Sequence, residues 1–198
     1  MGQSCDTIRL YTAQSDVVLR VLERDGVCFS REEYVRGKYG ESAPVFLTAY
    51  SWFVSRMENI VPRPRGAEFP YWAFGALYSV DRTGTGEALT LDVPLDQAVL
   101  FDLYDWNKVM QLRYIGENER EERSFQKELA RCGLRETDVM LTKFHPQWKK
   151  RILESWERLF RHHDRIREGD MSGVGGVQAG LWQIRSEWIR RQRVPPPQ

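Results

Sequence analysis

Thr12 and Gln14 are the first residues whose type and position suit ligand chemistry. Ile8, Leu10 and Thr12 alternate with Arg9, Tyr11 and Ala13, a period of two that predicts a strand. Ser15 or Asp16 can cap a helix directly afterwards. Thr12 and Gln14 therefore fall at the open end of a strand beside a helix start, where folds present backbone donors and polar side chains to ligands. Tyr71 and Trp72 form a second group, at the entrance of the apolar run Tyr71 to Val80. Their faces can clamp a flat ring if both reach one cleft, whereas as plain strand neighbours they point to opposite faces. Of Tyr50 and Trp52, which point to different sides of a helix, one can reach a cleft while the bland alternative packs both.

Other reactive patterns are weaker. His162 and His163 are adjacent and point apart, so with His145 they make poor joint metal ligands, and no metal site is expected. The basic cluster Arg161, His162, His163, Arg165 and Arg167 can hold phosphate, but Glu154, Glu157, Asp164 and Glu168 balance it as on a solvated helix end. The glycines of Asp81 to Glu87 follow a strand but open another strand, so they fail the context of a dinucleotide fingerprint. No compact Ser/His/Asp set, no cysteine beside a histidine and no framed pair of carboxylates appears.

Several elements must position these residues. Val17, Val18, Val21 and Leu22 form a helical stripe ended by Gly26, and Val27 to Phe29 predicts a second strand, so the opening unit reads strand, helix, strand. Arg31 to Ser42 reads as a mobile loop. Pro44 starts a helix to Ile60, with Phe46, Ala49, Tyr50, Phe53, Val54 and Met57 at helical spacing. Tyr71 to Val80 predicts a strand that forms a hairpin with Ala88 to Val93 through the Asp81 to Glu87 turn. Asp102 or Asp105 caps a helix carrying Trp106, Val109 and Met110, and the charge run Gly116 to Arg131 is a solvated helix or the loop that precedes one. Ile152, Leu153, Trp156, Leu159 and Phe160 form the buried stripe of a helix from Lys149 to Arg161. Val177 to Ile184 alternates as a late strand, Arg185 to Arg193 is a short helix or strand extension, and residues 194–198 form a flexible tail. The fold class expected is α+β: a small, strongly bent sheet from Ile8 to Thr12, Tyr71 to Tyr78, Leu89 to Val93 and Val177 to Ile184, flanked by helices.

Two resemblances bear on function. Leu10-Tyr11-Thr12-x-Gln14, a helix, then Gly26-Val27-Cys28-Phe29, resembles the opening of ADP-ribosyltransferase-like domains. Over nearly its whole length the chain is also similar to an uncharacterised bacterial domain family, through Leu10-Tyr11-Thr12-x-Gln14, Phe69-Pro70-Tyr71-Trp72-Ala73, Asp102 with Trp106, and Gln178-Ala179-x-x-Trp182. The first resemblance implies NAD across a split between two small sheets. It sets Thr12 where that family has arginine or histidine, Gln14 two residues on, and Gln178 where a late-strand glutamate holds the ribose hydroxyl. Tyr11, Thr12, Gln14, Tyr71 and Trp72 then bind the cofactor, and Gln178 is the catalytic position. Each carried-over polar position changes residue type: glutamine can hydrogen-bond a ribose hydroxyl but cannot act as a general base.

Composition sets limits on these readings. The 198 residues are 41% hydrophobic and 29% charged, which fits one globular domain and excludes a largely disordered chain. Seven tryptophans are many, and about five are expected to be structural. A net charge of +1 supplies no global field for nucleic acid or acidic membranes. Cys5, Cys28 and Cys132 lie far apart, pointing to a reducing compartment. No apolar run approaches the roughly 18 residues of a membrane span, so cytoplasm is the expected location. Transfer from NAD to a protein or nucleic-acid acceptor is the leading expectation. The alternative is a non-catalytic interaction or ligand-binding module of a bacterial regulatory, defence or toxin-antitoxin system, with nucleic-acid binding through Lys149 to Arg167 and Arg185 to Arg193 below both.

Overall fold

A computed structural model describes residues 6–31, 43–81, 83 and 86–190. Most of the expected loop after Phe29 and the tail lie outside this set. The chain opens with β1 (Thr7–Gln14), α1 (Asp16–Asp25) and β2 (Val27–Phe29). Ser15 occupies the cap position of α1 without a side-chain cap bond, and Gly26 ends the helix at φ 73°, its N–H donating to the Leu22 carbonyl. That left-handed stop is cheap only for glycine.

Next come α2 (Ala43–Ile60), β3 (Tyr71–Phe74), β4 (Glu87–Pro94) and β5 (Val99–Asp102). Helices follow: α3 (Leu103–Met110), α4 (Glu119–Arg131), α5 (Glu136–Leu141), α6 (Pro146–Trp156) and α7 (His163–Arg167), and then β6 (Val177–Leu181) and β7 (Gln183–Arg185). Five strands form one antiparallel sheet in the order β4-β1-β3-β6-β5, while β2 and β7 pair separately. The expected α+β class with a small sheet flanked by helices is what forms.

Three strand expectations need correction. The run Tyr71 to Val80 is a strand only to Phe74: the Gly75 N–H bonds to the Val177 carbonyl, and a 3-10 turn follows at Leu77–Ser79. Leu77 is 44% and Tyr78 91% exposed, so the apolar letters that suggested a longer strand bury little. The hairpin of this run with β4 is also absent, because β1 lies between β3 and β4 and takes all of β4's ladder. Val177 to Ile184 likewise divides at Trp182, whose indole donates to the Val61 carbonyl at 2.8 Å and packs into the core against α2. Beyond that pivot the chain leaves the large sheet and pairs with β2.

The sheet separates two apolar clusters. One holds Phe53, Met57, Phe101, Trp106, Ile152, Trp156 and Leu159 with α2, α3 and α6; the other holds Leu10, Leu22, Leu91, Leu100, Leu181 and Ile184. The predicted Lys149 to Arg161 stripe is borne out by the burial of Ile152, Trp156 and Leu159, although regular α-helix ends at Trp156 and a 3-10 turn carries Glu157–Phe160. The charged α4 is solvated as expected and buries only Phe125 and Leu129. Gly180 lets the sheet approach α2, since a Cβ there would stand 2.9 Å from the Phe53 ring.

His163 joins α7 to this sheet. Its Nδ1 accepts the Leu100 N–H at 3.1 Å, which requires the neutral ring with its proton on Nε2. Burial is the main cause that lowers its pKa below the ordinary 6.5, with Arg167 assisting and Asp164 opposing. The folded protein thus binds this proton less readily than the unfolded chain. Its stability contribution is complete above the unfolded value of 6.5 and is lost as pH falls below it toward the lowered folded value. Urea midpoints taken between pH 8 and 5 should decline on the acid side, and His163→Gln should flatten that part of the decline.

Candidate functional site

The sheet forks. β1 and β4 pair over eight positions, from Thr7↔Pro94 to Gln14↔Glu87, and β3 and β6 over four, from Tyr71↔Leu181 to Phe74↔Gln178. Between these two ladders β1 and β3 share one rung, Tyr11↔Phe74. Past it, Thr12 to Gln14 run with β4 while Trp72 and Tyr71 run with β6. The strands diverge around a cleft of about 790 Å³.

Thr12, Gln14, Tyr71, Trp72 and Gln178 all line this cleft, although Thr12 and Gln178 lie near opposite ends of the sequence. Tyr11 does not line it; as the partner of Phe74 it forms the last rung of the fork. The other walls come from Tyr50 on α2, from Leu103, Trp106, Asn107 and Met110 on α3, and from Ser79 to Asp81, Thr83 and Gly86 in the connection between β3 and β4.

Thr12 is nearly fully buried, and its hydroxyl donates to the Trp72 carbonyl at 2.8 Å while accepting from Gln14 Nε2 at 2.8 Å. A side chain thus bridges the fork where ladder pairing has stopped. The single hydroxyl proton is committed to Trp72, so Thr12 shapes the cleft more than it offers a donor to a ligand. Thr12→Val, which keeps shape and removes the hydroxyl, should lower stability by about 1 kcal/mol, with Thr12→Ser retaining most of it. Equilibrium urea unfolding measures both; equal loss in the two variants would show that the hydroxyl bond is not what stabilises the fork.

Tyr71 and Trp72 do not clamp one ring together. The Tyr71 hydroxyl donates to Cys28 Sγ at 3.0 Å within the second cluster, whereas Trp72 is packed in the first. Strand alternation sends them to opposite faces, and Tyr50 and Trp106 supply the aromatic company of Trp72. Trp72 Nε1 donates to the Tyr50 hydroxyl at 2.9 Å, and its ring lies 5.3 Å from Tyr50 and 4.7 Å from Trp106, centroid to centroid. Trp72 is half-buried, with Tyr50 and Trp106 buried behind it.

Gln178 sits on the same sheet face as Trp72, displaced diagonally across the β3–β6 ladder, because Trp72 pairs with Gly180 and Phe74 with Gln178. Its relative exposure is 3%, and Oε1 is buried with no hydrogen-bond partner. An unmade bond of this kind costs stability, so such a group calls for a partner, which an ordered water or a ligand in the cleft can supply.

Asp102 takes the structural role offered by its position. It caps α3 by accepting from the Tyr104 and Asp105 N–H groups, and its second oxygen accepts from Gly175. The carboxylate therefore anchors the helix that carries one wall of the cleft. Leu103, Trp106, Asn107 and Met110 fall at i, i+3, i+4 and i+7, a spacing that marks one helix face in the sequence. Nothing in the sequence tells that this face meets the end of β1.

Among the described residues no group of three or more potential metal-binding side chains comes together, and no helix is long and apolar enough to cross a membrane. Fold and site define a mixed α/β protein with a ligand-sized cleft at the fork of an antiparallel sheet. The family model for a domain of unknown function, DUF3841, matches residues 9–190, and the chain belongs to that family. That span includes every cleft residue. No curated protein and no solved structure matches the chain.

Proposed function

We propose that the protein binds NAD in the forked cleft as an ADP-ribosyltransferase-like domain, with the nicotinamide end against Trp72 and Gln178. The observation that carries this reading is the partnerless amide of Gln178, buried in a cleft whose aromatic side is Trp72 backed by Tyr50 and Trp106. A flat ring gains from stacking there, and a polar substituent on it can meet the amide. The division of the sheet at Tyr11↔Phe74 supports the same reading, since the resemblance of the opening stretch implies a cofactor across a split sheet.

In transfer, the bond between the ribose C1′ and the nicotinamide nitrogen breaks, and nicotinamide leaves with the electron pair. A nucleophile of the protein or nucleic-acid acceptor bonds to C1′ and loses its proton to solvent. Gln178 can hydrogen-bond the ribose or the leaving group but cannot take that proton, so turnover is slow compared with binding. The same glutamine favours a second reading, a ligand-binding module that holds NAD without transfer. Buried Cys28, engaged by Tyr71, and exposed Cys132 are both free thiols, which supports a reducing, cytoplasmic setting.

Titrating NAD while recording tryptophan emission and released nicotinamide tests the proposal. Saturable change in emission is expected, because Trp72 and Trp106 line the cleft, with slow or no nicotinamide release separating transferase from binder. Flat emission up to millimolar NAD would end both.

A further inference from the structure

We infer that Gln178 reads a primary carboxamide on the bound ring, pairing amide to amide; this rests on the proposed occupancy of the cleft by NAD. A primary amide offers two donors and an acceptor, and two such groups placed edge to edge make two hydrogen bonds at once. The Gln178 amide has its oxygen buried without a partner. Its terminal torsion is broad and nearly two-fold, so the group can turn end for end and present either end to a ligand. The neighbouring rungs are apolar: Phe74 and Phe101 pair with Gln178 on either side. The amide therefore stands in an apolar row with no competing protein partner, where a ligand's hydrogen bonds count for more than in water.

Geometry selects the ring substituent as the group it meets. Trp72 and Gln178 are diagonal neighbours across one antiparallel pair, an arrangement that sets such residues about 7–8 Å apart with their Cβ atoms somewhat closer. A six-membered ring lying on Trp72 spans part of that distance, and a substituent one bond beyond the ring reaches the amide. A carboxylate in the same place brings acceptors only, and replaces two complementary hydrogen bonds with one while carrying a charge into an apolar surround.

Nicotinic acid adenine dinucleotide differs from NAD in this one group and carries the same phosphates and adenosine. Its dissociation constant, set against that of NAD by tryptophan emission, should be at least about tenfold weaker for the wild-type protein. Gln178→Met, of similar length without hydrogen-bonding capacity, should bring the ratio close to one, and Gln178→Glu, which keeps an acceptor for the amide and repels the acid, should preserve or widen it. Circular dichroism and urea unfolding of each variant establish that the compared proteins are folded. A wild-type ratio near one, or a tenfold ratio that survives Gln178→Met, overturns the inference while leaving NAD binding standing. Failure of the wild-type protein to bind either dinucleotide overturns both.

Discussion

Trp156→Ala will destabilise the protein by about 3–5 kcal/mol, the usual cost of deleting a buried tryptophan. Trp156 has no exposed surface, its ring meets Trp52 edge-on at a centroid distance of 5.2 Å, and its indole N–H bonds to the Arg113 carbonyl at 2.6 Å. Truncation leaves a large void between α2 and α6 and also deprives the Arg113 carbonyl of this donor. Of the substitutions considered this one should have the largest effect on the urea midpoint. Because Trp156 does not line the cleft, whatever fraction remains folded should bind ligand as the parent does. A variant as stable as the parent would contradict the packing of α6 described above.

Asp102→Ala should cost about 2–3 kcal/mol, more than an exposed cap, because the carboxylate is 6% exposed and serves three N–H groups. Its removal frees the start of α3 from Gly175, and so loosens the wall formed by Leu103, Trp106, Asn107 and Met110. Ligand affinity should therefore fall together with stability. Asp102→Asn, which keeps one acceptor oxygen, should lie between the parent and the alanine variant in thermal unfolding. Unchanged stability with a weakened cleft would assign the carboxylate a direct ligand contact instead.

Short-range pattern carried much of this fold into view. The alternation of Ile8 to Thr12 and the stop at Gly26 mark the opening unit, and the spacing of Ile152, Trp156 and Leu159 marks the face that α6 buries. Pairing partners were not legible in the same way. Hydrophobic alternation says that Leu89, Leu91 and Val93 share a face but not which strand lies beside them, and the insertion of β1 between β3 and β4 depends on contacts far apart in sequence. Tyr71 to Val80 misled because exposed Leu77 and Tyr78 look the same on paper as buried ones.

The site divides along the same line. The positions carried by resemblance, Thr12, Gln14, Tyr71, Trp72 and Gln178, come together in one cleft. Their individual hydrogen bonds were hidden, because the commitment of Thr12 to Trp72 and of Tyr71 to Cys28 arises only when β1, β2 and β3 are packed. Tyr11 stands outside the lining because strand alternation sends it to the sheet face opposite Thr12 and Gln14, before the strands diverge. Asn107 and Met110 reach the cleft through the placement of α3 by Asp102, a tertiary effect that helical spacing alone does not reveal.

Crystals of the protein grown or soaked with saturating NAD give the most direct test of the forked cleft as the ligand site. The expected difference density places the nicotinamide ring against Trp72 with its amide beside Gln178, between the diverging ends of β1 and β3. Density for NAD on another surface, or an empty cleft at saturating NAD, would contradict the account.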